Sequence, residues 1–433
     1  MTNRAVELLS NYIKLDTTNP PGNEYLGAEF FSRILESQGI LFKTYQSKPG
    51  RASIRAVIKG SGQQKPLIML HHMDVVPAKG DEWSFDPFGG EVIHGYICGR
   101  GALDTKSLGI MQLLALLEIK KRGIKLRRDL IFLATADEES GGDCGVEFLL
   151  REYPDDFQAE LILNEGGYLI KDDKSNSLVA MISPGEKGPC WLKLSRKGMP
   201  GHGSTPHSQN CLEKMTKAVN RLLNYEVPLE VTPIAAEYFK KLAQSWDVLK
   251  PYADDGREGT LLKILADNGL LAVPQISAML RNTISLNMLK SGDRVNVIPS
   301  YAEALIDTRL LPGQDLKQWL QLIKNQLADD EIQIETVLGN EGNASDMYTE
   351  SYNMIEKALL YYYPGAVVAP YLMTGTTDSR FFREKNMPAY GLCPVEVPPD
   401  DLKSIHGIDE RLSVDSLIKG IEVYTEIIRR LCV

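Results

Sequence analysis

The chain is predicted to be an α/β protein interrupted by a separate α+β domain, and three observations carry that prediction. Its 433 residues exceed what one ordinary core serves, so two domains are expected. A continuously apolar run at 67–70 and the strand-like segments 129–136 and 161–163 alternate with helical stripes, as strands buried on both faces of a mixed, mainly parallel sheet do. Near Lys187 the rhythm changes, and 188–339 reads strand, helix, strand, strand, helix, strand, the order of a ferredoxin-like sandwich.

Taken in order, Ala5, Leu8, Leu9 and Tyr12 mark a helix over 3–16, amphipathic and with acids rather than a signal peptide. Asn19-Pro20-Pro21-Gly22-Asn23 stops it. A second helix follows at 24–38, with Phe31, Ile34 and Leu35 inward, and then strands at 40–45 and 52–58. The strand at 67–70 ends in His71, His72 and Asp74. A hairpin at 91–98 leads to Asp104, just before a helix over 106–121; helix capping and a role in a site are both open to it. The strand at 129–136 ends in Asp137, Glu138 and Glu139, and the next, at 161–163, in Asn164 and Glu165. Ionisable groups left unpaired at the ends of buried strands cost several kcal/mol. Ligands, by contrast, bind just beyond the carboxyl ends of strands in such sheets. Three strands finishing this way mark a site.

In the second domain, strands are expected at 190–194, 284–289, 303–307 and 332–337, and helices at 212–223 and 316–327. Residues 226–280 form a mainly helical insertion. A helix at 352–360, a strand at 366–370, the loop MTGTTDSRFF and a last helix ending at Arg430 complete the first domain. The division is therefore 1–186 and 343–433 for two segments of one domain, with 187–342 between them.

An apolar fraction of 43% and a charged fraction of 24% are those of a soluble globular protein. A net charge of −9 argues against a nucleic-acid or anionic-membrane partner. No apolar run reaches the length of a membrane span. The six cysteines lack CxxC spacing, which fits a reduced, cytoplasmic protein without disulfides.

Histidine is scarce, with six residues at 71, 72, 94, 202, 207 and 406. A site with two metal ions needs few: one imidazole per ion, several carboxylates, and one carboxylate shared. Zn²⁺ accepts nitrogen and oxygen ligands and leaves a position for water in catalytic sites. In His72-Met73-Asp74 the carboxylate suits fixing an imidazole's tautomer and position. The pair Glu138-Glu139 suits a division of labour, one side chain binding metal and the other moving protons.

The segments HHMDVVP, GRGALDTKS, ADEESGG, NEGG, GHGSTP, NVIP with DTRLLPG, GTTDSRFF and IHGIDERLSV occur in this order across nearly the whole chain. Together they closely resemble the di-zinc aminoacylase/carboxypeptidase metallopeptidase family. That family includes carboxypeptidase S-like enzymes, aminoacylases, glutamate carboxypeptidase and succinyl-diaminopimelate desuccinylases. The resemblance implies a zinc-peptidase-like catalytic domain with an inserted lid that forms a homodimer. It implies His72 and Glu165 on one zinc, Glu139 and His406 on the other, and Asp104 bridging, with cobalt or manganese as substitutes. Glu138 would be the general base and acid, and Asp74 would support His72 and the base. His71 is expected to be a structural neighbour on the opposite side of the chain, and His94 and His207 to be surface or loop residues. By the same resemblance His202 reaches a dimer partner's active site and polarises the scissile carbonyl. Arg309 and Asn296 would hold the substrate's carboxylate, for which a planar guanidinium fork is suited. Gly375 either lets backbone approach the substrate or serves a turn. Asp378 and Arg380 are expected to pair with each other and support their loop.

The implied reaction is cleavage of an amide to release an amino acid bearing a free α-carboxylate, from a short peptide or an N-acyl amino acid. The long insertion and NEGG resemble the carboxypeptidase S/aminoacylase branch more than the shorter desuccinylases. The insertion's apolar residues are expected to line a pocket for an acyl chain or a hydrophobic side chain. A non-catalytic relative would lack a ligand or the base, and here all five ligand positions and Glu138 are present.

Overall fold

The structure, a computed structural model, describes residues 2–172 and 175–433. Its centre is a ten-stranded mixed sheet. Within it Leu130–Thr135, Leu67–His72, Leu161–Asn164 and Ala389–Gly391 lie side by side and parallel. Their register aligns His72 with Thr135 and Asn164 with Gly391, so the parallel strands end along one edge. Antiparallel strands extend the sheet outward, beginning with Arg51–Ile58 and Leu41–Lys48 at one side.

Alternation along these apolar strands divides the core. Leu67, Met69, Leu130, Phe132 and Ala134 face the helices Thr2–Ile13, Tyr25–Ser37, Lys106–Lys121 and Val414–Cys432. Ile68, Leu70, Ile131 and Leu133 face Leu149, Phe157 and Phe382 on the other side. Both faces are covered, which is why these strands stay apolar until their last one or two residues. The first helix stops at Ile13 rather than continuing to residue 16. Beyond it the buried Lys106 ammonium donates to the carbonyls of Tyr12 and Leu15, at 3.1 and 2.7 Å, satisfying groups a longer helix would have used.

Parity also separates the two adjacent histidines. His71 continues the 67, 69 face and is fully buried between Tyr12, Phe31 and Phe132. Its Nδ1 lies 3.1 Å from Gln112 Oε1. Burial lowers its pKa from 6.5 to about 3, against the opposing Gln112 bond. As pH falls from about 6.5 to about 3, only the unfolded chain takes up this proton. The stability His71 contributes is therefore full above pH 6.5 and lost through that window. His71→Gln is expected to weaken the acid loss of stability between pH 6.5 and 4 by on the order of 3 kcal/mol. Urea unfolding of both proteins across that range checks it, and equal slopes would dismiss the idea.

The second domain is built on a four-stranded antiparallel sheet in the order Thr283–Ser291, Tyr301–Leu310, Gly188–Lys197, Gln333–Gly339. Helices Cys211–Leu223 and Leu316–Leu327, capped by Asn210 and Asp315, cover one face. Leu192, Leu194, Ala304 and Ile306 meet Met215, Val219, Trp319 and Ile323 in a core of their own.

The insertion at 226–280 departs from expectation. Its helices Pro233–Leu242, Lys250–Asp255, Glu258–Asp267 and Pro274–Met279 pack on the large sheet, not on the lid. Phe239, Leu261 and Leu265 bury Val179 and Met181 of Leu178–Glu186, and Val367 and Ala369 of Val367–Met373. Sequence order attaches an insertion to its flanking elements. Its apolar stripes instead cover one face of the strands Leu178–Glu186 and Val367–Met373. Among the described residues no helix is long and apolar enough to cross a membrane.

Candidate metal centre

The edge where the parallel strands end gathers the predicted residues. His72 closes its strand, Glu138 and Glu139 follow the strand Leu130–Thr135, and Glu165 follows Leu161–Asn164. Asp104 does not cap the helix that follows; Thr105 occupies the cap position, without a side-chain bond. Instead the two carboxylate oxygens of Asp104 diverge, Oδ1 lying 3.0 Å from His72 Nε2 and Oδ2 3.1 Å from His406 Nε2. Glu165 Oε1 stands 3.6 Å from His72 Nε2, and Glu139 Oε2 3.1 Å from His406 Nε2. His406 comes from the far end of the chain, on a backbone with φ of 58°.

The electrostatics are those of crowded charge. Burial opposes a proton on His72, but Glu165, Asp104 and Asp74 outweigh it and hold its pKa well above the ordinary value. Hydrogen bonds to Asp104 and Glu139 raise His406 to about 10. Burial would raise Asp104, yet bonds to His406 and His72 pull its carboxyl well below the usual range. For Glu138, burial and the neighbouring Glu165 push the pKa well up. Burial does the same for Glu165, opposed by His72.

Such a cluster fits metal ions. Donors 2.0–2.1 Å from a tetrahedral zinc ion are about 3.3 Å apart. The four contacts among Asp104, His72, Glu165, His406 and Glu139 fall at 3.0–3.6 Å. The set is nitrogen and carboxylate oxygen, as Zn²⁺ prefers, and cationic charge would relieve the acids that burial now forces toward protonation.

Support comes from residues behind the cluster. The buried Asp74 carboxylate accepts from the backbone N–H groups of Glu138 and Glu139, at 3.2 and 3.1 Å, and from Asn19 Nδ2 at 2.8 Å. The contact to His72 differs from expectation in its atoms. His72 Nδ1 is 2.9 Å from the Asp74 carbonyl and 3.6 Å from its carboxylate, so main chain fixes the ring and the side chain fixes the acidic loop. Glu410 is the residue that sequence reasoning missed. Fully buried, it accepts from Leu103 N and Asp104 N at 2.7 and 3.0 Å, from Gly101 N at 3.0 Å and from Arg100 Nη1 at 2.8 Å. It thereby fixes the loop that presents Asp104. Glu410→Ala strands a buried guanidinium and three N–H groups, and should cost about 3–5 kcal/mol. Urea unfolding measures this; a loss below 1 kcal/mol would remove Glu410 from the scaffold.

A cavity of about 480 Å³ opens over the cluster, lined also by Trp191, Arg309, Gly375 and Arg380. Arg309 donates to both Asp307 oxygens, at 2.8 and 3.0 Å, and to Thr376 Oγ1 at 3.1 Å. Gly375 has no backbone conformation reserved to glycine, and a Cβ there would meet Met373 Cε at 3.4 Å. Asp378 and Arg380 do not bond each other. Asp378 Oδ2 accepts from Thr135 Oγ1 at 2.9 Å, and burial lifts its carboxyl to about 7. Arg380 donates to the carbonyls of Gly141 and Thr377, because the loop turns into the helix Ser379–Glu384 and aims the two side chains apart. No residue of 226–280 lines the cavity among the described residues, since the insertion's apolar side chains are spent on the main sheet.

His202 and Asn296 are not in this cavity. Both are exposed on the lid, where Gly203 N donates to Asn296 O at 2.8 Å and His202 pairs with Val297. Arg309 and Asn296, expected to act together, are therefore apart within one chain. His94 is exposed in its hairpin and His207 half-buried in a lid loop.

Residues 68–430 match the family described as Peptidase family M20/M25/M40. The chain is 31% identical over 402 residues to the N-fatty-acyl-amino acid synthase/hydrolase PM20D1 of Bos taurus, covering 88% of this chain and 77% of that protein. It is 28% identical over 376 residues to probable carboxypeptidase S-like 2 of Dictyostelium discoideum, covering 84% and 71%. To aminoacylase-1 of Sus scrofa it is 26% identical over 437 residues, covering 99% and 95%. The fold is similar to that of an M20 family metallo-carboxypeptidase, Sso-CP2, from Sulfolobus solfataricus, with a TM-score of 0.76 at 18% identity over 98% of each chain.

Proposed function

The chain belongs to peptidase family M20/M25/M40, and on that footing we propose that it is a two-zinc amidohydrolase. Its substrates are N-acyl amino acids or short peptides, from which it releases an amino acid with a free α-carboxylate. The observation that carries this reading is the Asp104 carboxylate, with one oxygen on each of two imidazoles and an acid pair beside it. Zinc held by His72, Glu165, Asp104, Glu139 and His406 would polarise the scissile carbonyl and bring a water's pKa to about 7.

Glu138 takes a proton from the attacking water and returns it to the departing amine. Asp74 holds that base in place through the N–H groups of Glu138 and Glu139. Arg309 has five N–H donors, of which three are engaged by Asp307 and Thr376, leaving two on its outer nitrogens for the substrate carboxylate. Gly375, on the same wall, leaves room for substrate beside the main chain. His202 and Asn296 complete the site of a partner copy, in a homodimer formed through the lid. The catalytic domain comprises 1–186 and 343–433, joined by the 226–280 helices that pack on its sheet. A cytoplasmic location accords with six free, buried cysteines.

The test is release of amino acid from a panel of N-acetyl, long-chain N-acyl and dipeptide substrates, using chelated protein with zinc added back. Zinc-dependent release is expected from at least one class. No release from zinc-loaded dimer on any of them would end this reading.

A further inference from the structure

Lys187 stands where the main chain leaves the large sheet for the lid, between the strands Leu178–Glu186 and Gly188–Lys197, and it is wholly buried. Hydrolysis itself gives it no task. An ammonium brings three donors and no acceptor. Here Nζ donates to the carbonyls of Ala278 and Arg281, at 3.0 and 2.8 Å, and to Thr283 Oγ1 at 3.2 Å. The two carbonyls lie at the end of the insertion's last helix, Pro274–Met279, and Thr283 opens the lid strand Thr283–Ser291. None of the three acceptors is charged. Burial and the like charge of Arg309 lower the pKa of Lys187 to about 7, against the pull of Asp307. Bulk alone would be supplied at lower cost by a methionine, so what the lysine adds is direction.

Its bonds lead to Arg309 by two routes. Across the lid sheet, Thr283 is the register partner of Arg309. Along the main chain, Lys187 N donates to Met373 O at 3.0 Å, and Lys187 O accepts from Thr376 Oγ1 at 3.0 Å. Thr376 Oγ1 in turn accepts from Arg309 Nη1 at 3.1 Å. One residue thus ties together the insertion, the strand beside Arg309 and the loop that holds the guanidinium. The insertion is itself fixed to the large sheet by Phe239, Leu261 and Leu265. Arg309 belongs to the lid, yet its place is referred to the sheet whose edge carries the acids and imidazoles.

We propose that Lys187 is a positioning residue, which couples the 226–280 insertion to Arg309 and fixes the direction of its two remaining N–H groups toward the substrate carboxylate. The inference rests on the reading that Arg309 takes that carboxylate. Three of the five guanidinium donors go to Asp307 and Thr376, so the placement of those acceptors decides where the other two point. A guanidinium meets a carboxylate in one plane and at a fixed spacing. A small rotation of it weakens binding without disturbing Glu138 or the metal ligands. The effect therefore belongs in KM and not in kcat.

The test combines kinetics of zinc-loaded enzyme on the best substrate of the panel above with calorimetric binding of N-acetyl-methionine, measured in a Glu138→Gln background that stops turnover. Arg309→Gln is expected to raise KM and Kd about 10- to 100-fold, and Lys187→Met about 10-fold, with kcat in Lys187→Met kept within about three-fold. In the double variant Lys187→Met should add less than about two-fold, because the residue it acts through is already gone. If the two changes multiply instead, or if kcat falls as far as KM rises, Lys187 does not act through Arg309 and the proposal fails. Thr283→Val removes one acceptor and keeps the ammonium, and should raise KM and Kd about three-fold. It carries the test if melting shows Lys187→Met to be unfolded, and unchanged KM and Kd in it would overturn the proposal. No binding to the parent protein, or equal binding in Arg309→Gln, takes the carboxylate away from Arg309 and the inference with it. Absence of turnover by the unmodified enzyme on every substrate is the distinct failure of the amidohydrolase reading, and the calorimetry still decides this one.

Discussion

Glu138→Gln is expected to lower kcat by about 10²–10⁴-fold while leaving bound zinc and fold intact. Asp104, Glu139 and Glu165 each approach an imidazole, whereas Glu138 makes no such ion pair among the described residues. It nevertheless lies close enough to His72 and Glu165 that the three could hold an ion together. Metal content therefore distinguishes a ligand from a base: a ligand's loss empties a site, whereas a base's loss leaves both ions and stops the reaction. Its environment suits proton transfer. Burial and the like charge of Glu165 raise its pKa above the ordinary carboxylate value, the direction that suits a group which must hold a proton and give it back. The acid limb of the kcat–pH profile should vanish in the glutamine variant. A variant with full rate, or one that loses zinc, would take the role of base away from Glu138.

What the sequence revealed follows from what each signal depends on. His72, Glu139 and Glu165 were legible because ionisable groups at the ends of apolar strands violate the ordinary cost of burial. Parallel register then brings those strand ends to one edge. The separation of His71 from His72 was legible in part, since alternate residues along a strand face opposite sides. Glu410 was not legible, although its segment was singled out. Its partners are main-chain N–H groups some 300 residues earlier, and backbone donors carry no sequence signature. The insertion was misjudged for a related reason: amphipathic helices announce that they will pack, not against what. The expected Asp378–Arg380 pair failed because opposite charges two residues apart diverge once the loop becomes a helix.

The absence of His202 from the cavity that Arg309 lines leads to the second large effect. His202→Asn and Glu138→Gln, each nearly inactive alone, are expected to recover activity when mixed and allowed to exchange subunits. Ser204 N–H donates to His202 Nδ1 at 3.2 Å, so that nitrogen is an acceptor and the proton of the neutral ring sits on Nε2. Among the described residues that Nε2–H, on an exposed lid loop, has no hydrogen-bond acceptor. In the two-fold dimer proposed above this loop would meet the partner's cavity, and the donor would stabilise charge developing on a carbonyl oxygen there. A mixed dimer then has one complete site: Glu138 of the His202→Asn subunit, served by His202 of the other. Random exchange makes half the dimers mixed, each with one working site of two, so recovery should reach about a quarter of the unmodified rate. If His202 acted within its own chain, mixing would restore nothing. If it served only its turn, His202→Asn would be nearly fully active before mixing. The three outcomes are separate, and a single titration of one variant into the other, read as initial rate, distinguishes them.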